Sequence, residues 1–256
     1  MIKTIFRSED LPPEERLVRF DELQAKSLHP MRVRSDWAKD FRATARELAL
    51  AAVNVVELTC SSADVRRTSR LVHESDPELI SVIFSLSGGL AVDQLGRDAA
   101  LGRHDFAAYD SSRPFELRIA AGQDTATLVR AHVPRALLPL PPNKIDRILA
   151  VRLPGQEGVG ALLTQFFTGL TADTASYRPA DVPRLDNVAL DLLTAALAHH
   201  VDAVSDVPPE SHQRTLLLRV QAFVQQHLHE PCLTPGLHRR RAPHLRQLPS
   251  PPLPGS

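Results

Sequence analysis

What this chain has little of narrows its function first. Two cysteines in 256 residues, Cys60 and Cys232, cannot make a disulfide framework, and neither sits in metal-ligand spacing. A reducing cytoplasmic setting is expected, with no metal and no cofactor. No run approaches the roughly 18 apolar residues of a membrane span. The start, Met1-Ile2-Lys3-Thr4-Ile5-Phe6-Arg7-Ser8-Glu9-Asp10, meets charge before a signal-peptide core has formed, so neither export nor membrane insertion is expected. An excess of one charge is also missing. The 30 basic residues cancel 30 acidic ones, which leaves no overall field to draw the protein onto DNA. Enzyme signatures are absent: there is no GxSxG, HExxH or GxxxxGK[ST], and Gly88-Gly89 opens no helix that holds a phosphate.

What remains, 43% hydrophobic and 23% charged, is the composition of an ordinary soluble protein. At about 150 residues per domain the length corresponds to nearly two folded units, unless one large β-rich domain absorbs most of it. From about Phe41 to Val133 short extended runs alternate with turn residues, the pattern of an antiparallel barrel or sandwich of roughly seven or eight strands. Ile80, Val82, Phe84 and Leu86 share one face of a run that stops at Gly88-Gly89. Phe115-Glu116-Leu117-Arg118-Ile119 alternates with its charges on the other side. Both read as strands half-buried against a core. Thr125 to Val133 and the longer Leu48 to Leu58 are further strand candidates.

After Pro139-Leu140-Pro141-Pro142 the period changes from two to about 3.6. Val159, Leu162, Leu163, Phe166, Phe167 and Leu170 form one helical stripe. Leu185, Val188, Ala189, Leu192, Leu193, Ala196, Leu197 and Val201 form a longer one that begins near Pro183. A third stripe, Leu216, Val220, Phe223, Val224 and Leu228, follows the linker-like Asp206-Val207-Pro208-Pro209. Between Leu237 and Ser256 there are five prolines, four arginines and no acidic residue, a composition expected to stay disordered.

Candidate chemistry is sparse. His73, His104 and His132 stand singly, and His199-His200 are neighbours that point about 100° apart on a helix. Gly96 to Phe106 has the form of a hairpin, with Gly96 able to take a positive φ. Tyr109-Asp110-Ser111-Ser112-Arg113-Pro114-Phe115 places a polar cluster between two strands, where Arg113 either binds a carboxylate or pairs with Asp110.

Taken in order, these parts are similar to the AraC/XylS family of transcriptional regulators: a barrel with the Gly96 to Phe106 hairpin, Asp110-Ser111-Ser112-Arg113-Pro114-Phe115, an amphipathic helical hairpin, and Arg214-Thr215-Leu216-Leu217-Leu218-Arg219-Val220-Gln221-Ala222-Phe223-Val224. The resemblance covers residues 1 to about 235. It implies an α+β chain: a cupin-like antiparallel barrel (jelly roll) over 41–138 behind an N-terminal arm over 1–40, then a helical dimerisation region over 139–206. The first helix of a helix-turn-helix domain would follow over 210–235, with a tail over 236–256. Where the family continues with base-reading helices, this chain has Gly236-Leu237-His238-Arg239-Arg240-Arg241-Ala242-Pro243. A one-base shift of the reading frame over Leu237 to Pro254 permits SIAAAHHISVSYLHRLFQ, the kind of text the family carries there. A truncated DNA-reading half, with weak or absent DNA binding, is therefore expected.

The resemblance implies a small-molecule effector. The pocket candidates are Val82, Phe84, Leu86, Phe106, Phe115, Leu117 and Ile119, with Tyr109 and Arg113 at the mouth; the same residues alternatively just fill a small barrel. A homodimer is expected through Leu185, Val188, Leu192 and Ala196, a stripe that equally suits packing within one monomer. Two other readings stay open: a metal-dependent cupin enzyme, and a modulator that pairs with a full-length relative and poisons it.

Overall fold

A computed structural model describes residues 2–122, 124–172 and 177–201. The chain divides into two units, Met1–His212 and Gln213–Ser256. The second unit lies outside the described residues, and with it the third helical stripe, the expected first helix over 210–235 and the tail.

Eleven strands of the first unit form two antiparallel sheets. The six-stranded sheet runs β1 (Lys3–Arg7), β3 (Ala43–Ala49), β4 (Asn54–Cys60), β11 (Ala126–Pro134), β6 (Leu79–Ser87), β9 (Phe106–Asp110). The five-stranded sheet runs β2 (Arg32–Arg34), β5 (Ala63–Arg67), β10 (Phe115–Ala120), β7 (Gly89–Gln94), β8 (Arg97–Leu101). Apart from the β3–β4 and β7–β8 hairpins, the chain crosses from one sheet to the other between successive strands, and one core fills the space between them, as in the cupin-like α+β fold expected. The strand expected over Leu48 to Leu58 is instead a hairpin. It turns at residues 50–53, where the Leu50 N–H donates to the Val53 carbonyl at 3.0 Å. Alanine on either side hid the break, and neither glycine nor proline marks it. The β7–β8 turn follows the expectation, with Leu95 at φ 58° and Gly96 at φ 70°; Gly96 tolerates this at little steric cost.

Residues 1–40, expected as an arm, are built into the barrel. They supply one strand to each sheet and a helix, α1 (Pro13–Ala25). Pro13 suits the first helical turn because its ring presets φ and the missing N–H has no partner there. Phe20 of α1 is buried between Phe6 and Phe41, with ring centroids 5.3 and 5.4 Å away, which plugs one flank of the interior.

The helices expected from the change of period are α4 (Gly158–Ala172) and α5 (Val182–His200), preceded by the short α3 (Pro142–Ile148). Leu163, Phe167 and Leu170 of α4 and Leu192, Leu193, Ala196 and Leu197 of α5 join one buried cluster with Ile80, Val82, Phe84, Phe106, Val129, Ala131 and Val133. The helices therefore cover the outer face of the six-stranded sheet. β6, β9 and β11 are buried on both faces, whereas β5 and β7 alternate between buried and more open positions. Asp186 pins α5 to the β3–β4 turn, its Oδ1 accepting from the N–H groups of Ala52 at 2.9 Å and Val53 at 2.8 Å.

Candidate functional site

Burial on both faces divides the pocket residues expected from sequence. Val82, Phe84 and Phe106 lie in the cluster beneath the helices, and Leu86 packs against it. These four face out of the barrel, so the expected apolar lining of β6 is turned the other way. Phe115, Leu117, Ile119 and Tyr109 belong to the core between the sheets. The residues of β6 and β11 that face the same interior are Ser81, Ile83, Arg130 and His132, the alternate set.

The register places these groups in rows. His132 pairs with Ser81 across β11 and β6, and Ser81 with Tyr109 across β6 and β9; one step along, Val56, Arg130, Ile83 and Ala107 form the next row. His29, from the stretch between α1 and β2, enters from the side. Its ring centroid lies 4.7 Å from His132, 6.2 Å from Tyr109 and 5.8 Å from Phe115. Gln24 of α1 and Met31 close the far side. Arg130, His132, His29 and Gln24 are each at most 4% exposed, and Tyr109 and Ser81 are fully enclosed.

Hydrogen bonding in this cluster is thin. Ser81 Oγ and His132 Nδ1 are 2.8 Å apart. The Arg130 guanidinium approaches Met31 Sδ at 3.9 Å and Gln24 Oε1 at 3.5 Å. Its Nε, both ring nitrogens of His29 and the Tyr109 hydroxyl have no hydrogen-bond partner among the described residues. Burial lowers His29 to about 3, helped by the charges of Arg130 and Arg67. It holds His132 well below the usual histidine range, with His29 and Arg130 adding to the effect. The Tyr109 phenol is raised by burial against the opposing pull of Arg130, and the Cys60 thiol is raised by burial to about 12. The interior thus holds two guanidinium groups, Arg130 and Arg67, among neutral hydrogen-bonding groups. That chemistry suits binding better than catalysis: Ser81 and His132 have the spacing of a nucleophile and its base, but a histidine held neutral so strongly is a poor proton acceptor.

The polar mouth is a structural network. Asp110, 1% exposed, faces Arg113 at 3.4 Å and also pairs with Arg135. Arg113 reaches Asp146 at 2.9 Å as well, so its guanidinium is committed to carboxylates of the chain itself. An open cleft of about 470 Å³ lies at another edge of the barrel, beside Trp37, Arg42 and Asp124. Of the pairing candidates, Leu192 and Ala196 are buried in the monomer, while Leu185 and Val188 remain partly open against its core. Among the described residues no three His, Cys, Asp or Glu side chains converge as a metal site requires, and none of the helices is long and apolar enough to cross a membrane.

His29, Gln24, Ser81 and Arg130 belong to no motif of the sequence, and His132 stands singly in it. A signal was present in β11, where Arg130 and His132 interrupt an otherwise apolar strand at every second position.

Residues 20–198 match the AraC-binding-like domain. A protein of Bacillus sp. (strain OxB-1), named an uncharacterized protein in the nit 5'region, is 27% identical over 188 residues, which is 72% of this chain and 70% of its own. The crystal structure of the AraC-like transcriptional activator CuxR superposes with a TM-score of 0.64 at 18% identity, over 94% of this chain and 83% of that one. At that identity the likeness is one of fold.

Proposed function

The chain belongs to the AraC-binding-like domain family, and from that premise we propose that it is the effector-sensing and pairing portion of a cytoplasmic transcription regulator. The barrel holds the effector and α4 and α5 present the pairing surface. The observation that supports this reading is the polar interior: a barrel kept only for stability gains nothing from enclosing Arg130 Nε, the His29 ring nitrogens and the Tyr109 hydroxyl without partners, since each such group costs about 1–3 kcal/mol. A ligand that supplies partners to these groups turns that cost into affinity and specificity. Pairing uses the open edge of α5 at Leu185 and Val188, because Leu192 and Ala196 are already spent on the monomer's core. The arginine- and proline-rich text after Leu233 stands where the family places base-reading helices. DNA contact by this chain is accordingly weak, salt-sensitive and without base specificity.

The test is a reporter in which residues 1–206 are joined to a DNA-binding domain that holds its operator only as a dimer. Operator occupancy that responds to small molecules of the host, and that Val188→Glu abolishes, is expected. Occupancy no higher than that of the unpaired DNA-binding domain, under every growth condition, overturns the proposal.

A further inference from the structure

Two arginines point into this barrel, and their situations are opposite. Arg67, 1% exposed, has every arm engaged: Nε donates to the Ser111 carbonyl at 2.8 Å, Nη1 to the Pro30 carbonyl at 2.8 Å, and Nη2 to the Ser75 carbonyl. It ties three loops together, with each of its three nitrogens donating to a carbonyl. Arg130 is also buried, yet its Nε is unpaired, the contacts of its other nitrogens are a thioether at 3.9 Å and an amide oxygen at 3.5 Å, and no described carboxylate pairs with it. A buried charge without a counter-ion is among the most costly features a core can carry. A strand needing only bulk at this position would be served as well by methionine or leucine.

We infer that Arg130 is the anchor for a singly charged organic anion, so that the effector carries a carboxylate that meets the Arg130 guanidinium inside the barrel. This rests on the sensing role proposed above and adds the chemical class of what is sensed. Three observations select that class. The flat guanidinium, with Nε free, offers a donor edge that a carboxylate meets with two parallel hydrogen bonds. Arg67 is held by three backbone carbonyls, so Arg130 is the guanidinium left with an unpaired nitrogen, which one carboxylate satisfies and a second negative charge would not. The walls beyond are apolar, Phe115, Leu117 and Leu128, which favours a short hydrocarbon or aromatic body over a sugar. The Tyr109 hydroxyl and the His29 ring, both unpaired, face the same interior and supply the remaining polar contacts. His29 is also the piece that yields. It sits outside any strand or helix, between α1 and β2, and breaks no hydrogen bond when its ring turns aside.

The experiment uses the purified full chain, its Arg130→Met and Arg67→Met variants, and thermal melting with benzoate, butyrate, benzamide and inorganic phosphate as probes. Benzoate or butyrate is expected to raise the wild-type midpoint by about 5–10 °C at a hundredfold excess over its dissociation constant, with benzamide and phosphate inactive and the shift lost in Arg130→Met. Without probe, Arg130→Met is expected to melt at or above the wild-type temperature, and Arg67→Met well below it. A carboxylate shift that survives in Arg130→Met, no carboxylate shift in the wild type, or an equal shift with phosphate overturns the inference. So does an unliganded Arg130→Met that falls as far as Arg67→Met. If benzamide shifts wild type and Arg130→Met alike, the anion inference fails while the sensing role stands.

Discussion

Acid is expected to destabilise this barrel from within, through the two buried histidines. In the unfolded chain a histidine titrates near 6.5. In the fold, burial and neighbouring positive charge lower His29 to about 3 and hold His132 well below its usual range. At pH 5 the unfolded state therefore binds a proton at position 29 that the folded state does not, and the shift of His132 acts in the same direction. Because the unfolded state binds more protons, stability rises with pH in this window and is lost as the pH falls from about 6.5 toward 3. At pH 5 the gap to the unfolded value is about 1.5 units, so His29 costs about 2 kcal/mol, and the lowered His132 adds to the loss in the same direction. That is a large share of the roughly 5–15 kcal/mol that stabilises a domain. Urea unfolding of the full chain, followed by circular dichroism at pH 7, 6 and 5, measures the loss. His29→Leu isolates one contribution: the ring makes no hydrogen bond that leucine would forfeit, so the variant should match or exceed wild type at pH 7 and lose about 2 kcal/mol less between pH 7 and 5. Equal losses in the two proteins would refute the reasoning, since every other titrating group is common to both.

Substitutions at Asp186 and Gly155 probe how the helices are held on the sheet, with Gly96 in the β7–β8 turn as the contrast. Asp186→Ala removes the acceptor for the buried N–H groups of Ala52 and Val53 and should cost about 3 kcal/mol in urea unfolding. Asp186→Asn keeps an acceptor oxygen and should cost less than half as much, so equal losses would show that the charge, not the acceptor, matters. In Gly155→Ala the added methyl would lie 1.9 Å from the His104 carbonyl oxygen and 2.5 Å from Thr164 Oγ1, forcing backbone to move at a cost of about 3 kcal/mol. Gly96→Ala, with nothing within 4 Å but a φ of +70°, should cost only about 1 kcal/mol. Similar melting temperatures for the two glycine variants would contradict the close approach at Gly155.

Local chemistry made much of the fold legible. Alternation over Phe115 to Ile119, the Gly96 turn, the change of period after Pro142 and the proline at the start of α5 all have causes within a few residues, and each appears where its sequence implies. The Leu48 to Leu58 hairpin is not legible in the sequence because Leu50, Ala51, Ala52 and Val53 carry no turn chemistry. Their bend is held instead by Asp186, far along the chain.

For the site, the sequence by itself determined that β6 and β11 each have two unlike faces: Val82 and Phe84 against Ser81 and Ile83, Val129 and Ala131 against Arg130 and His132. It also determined that apolar helices follow. Only the tertiary structure decided which face is the interior. The period of a strand says that its faces differ and nothing about what covers either one. Once α4 and α5 settle on the outer face of the six-stranded sheet, the greasier side of those strands packs outward against helices. The polar side is left lining the barrel, where His29 and Gln24 arrive from the N-terminal segment to meet it.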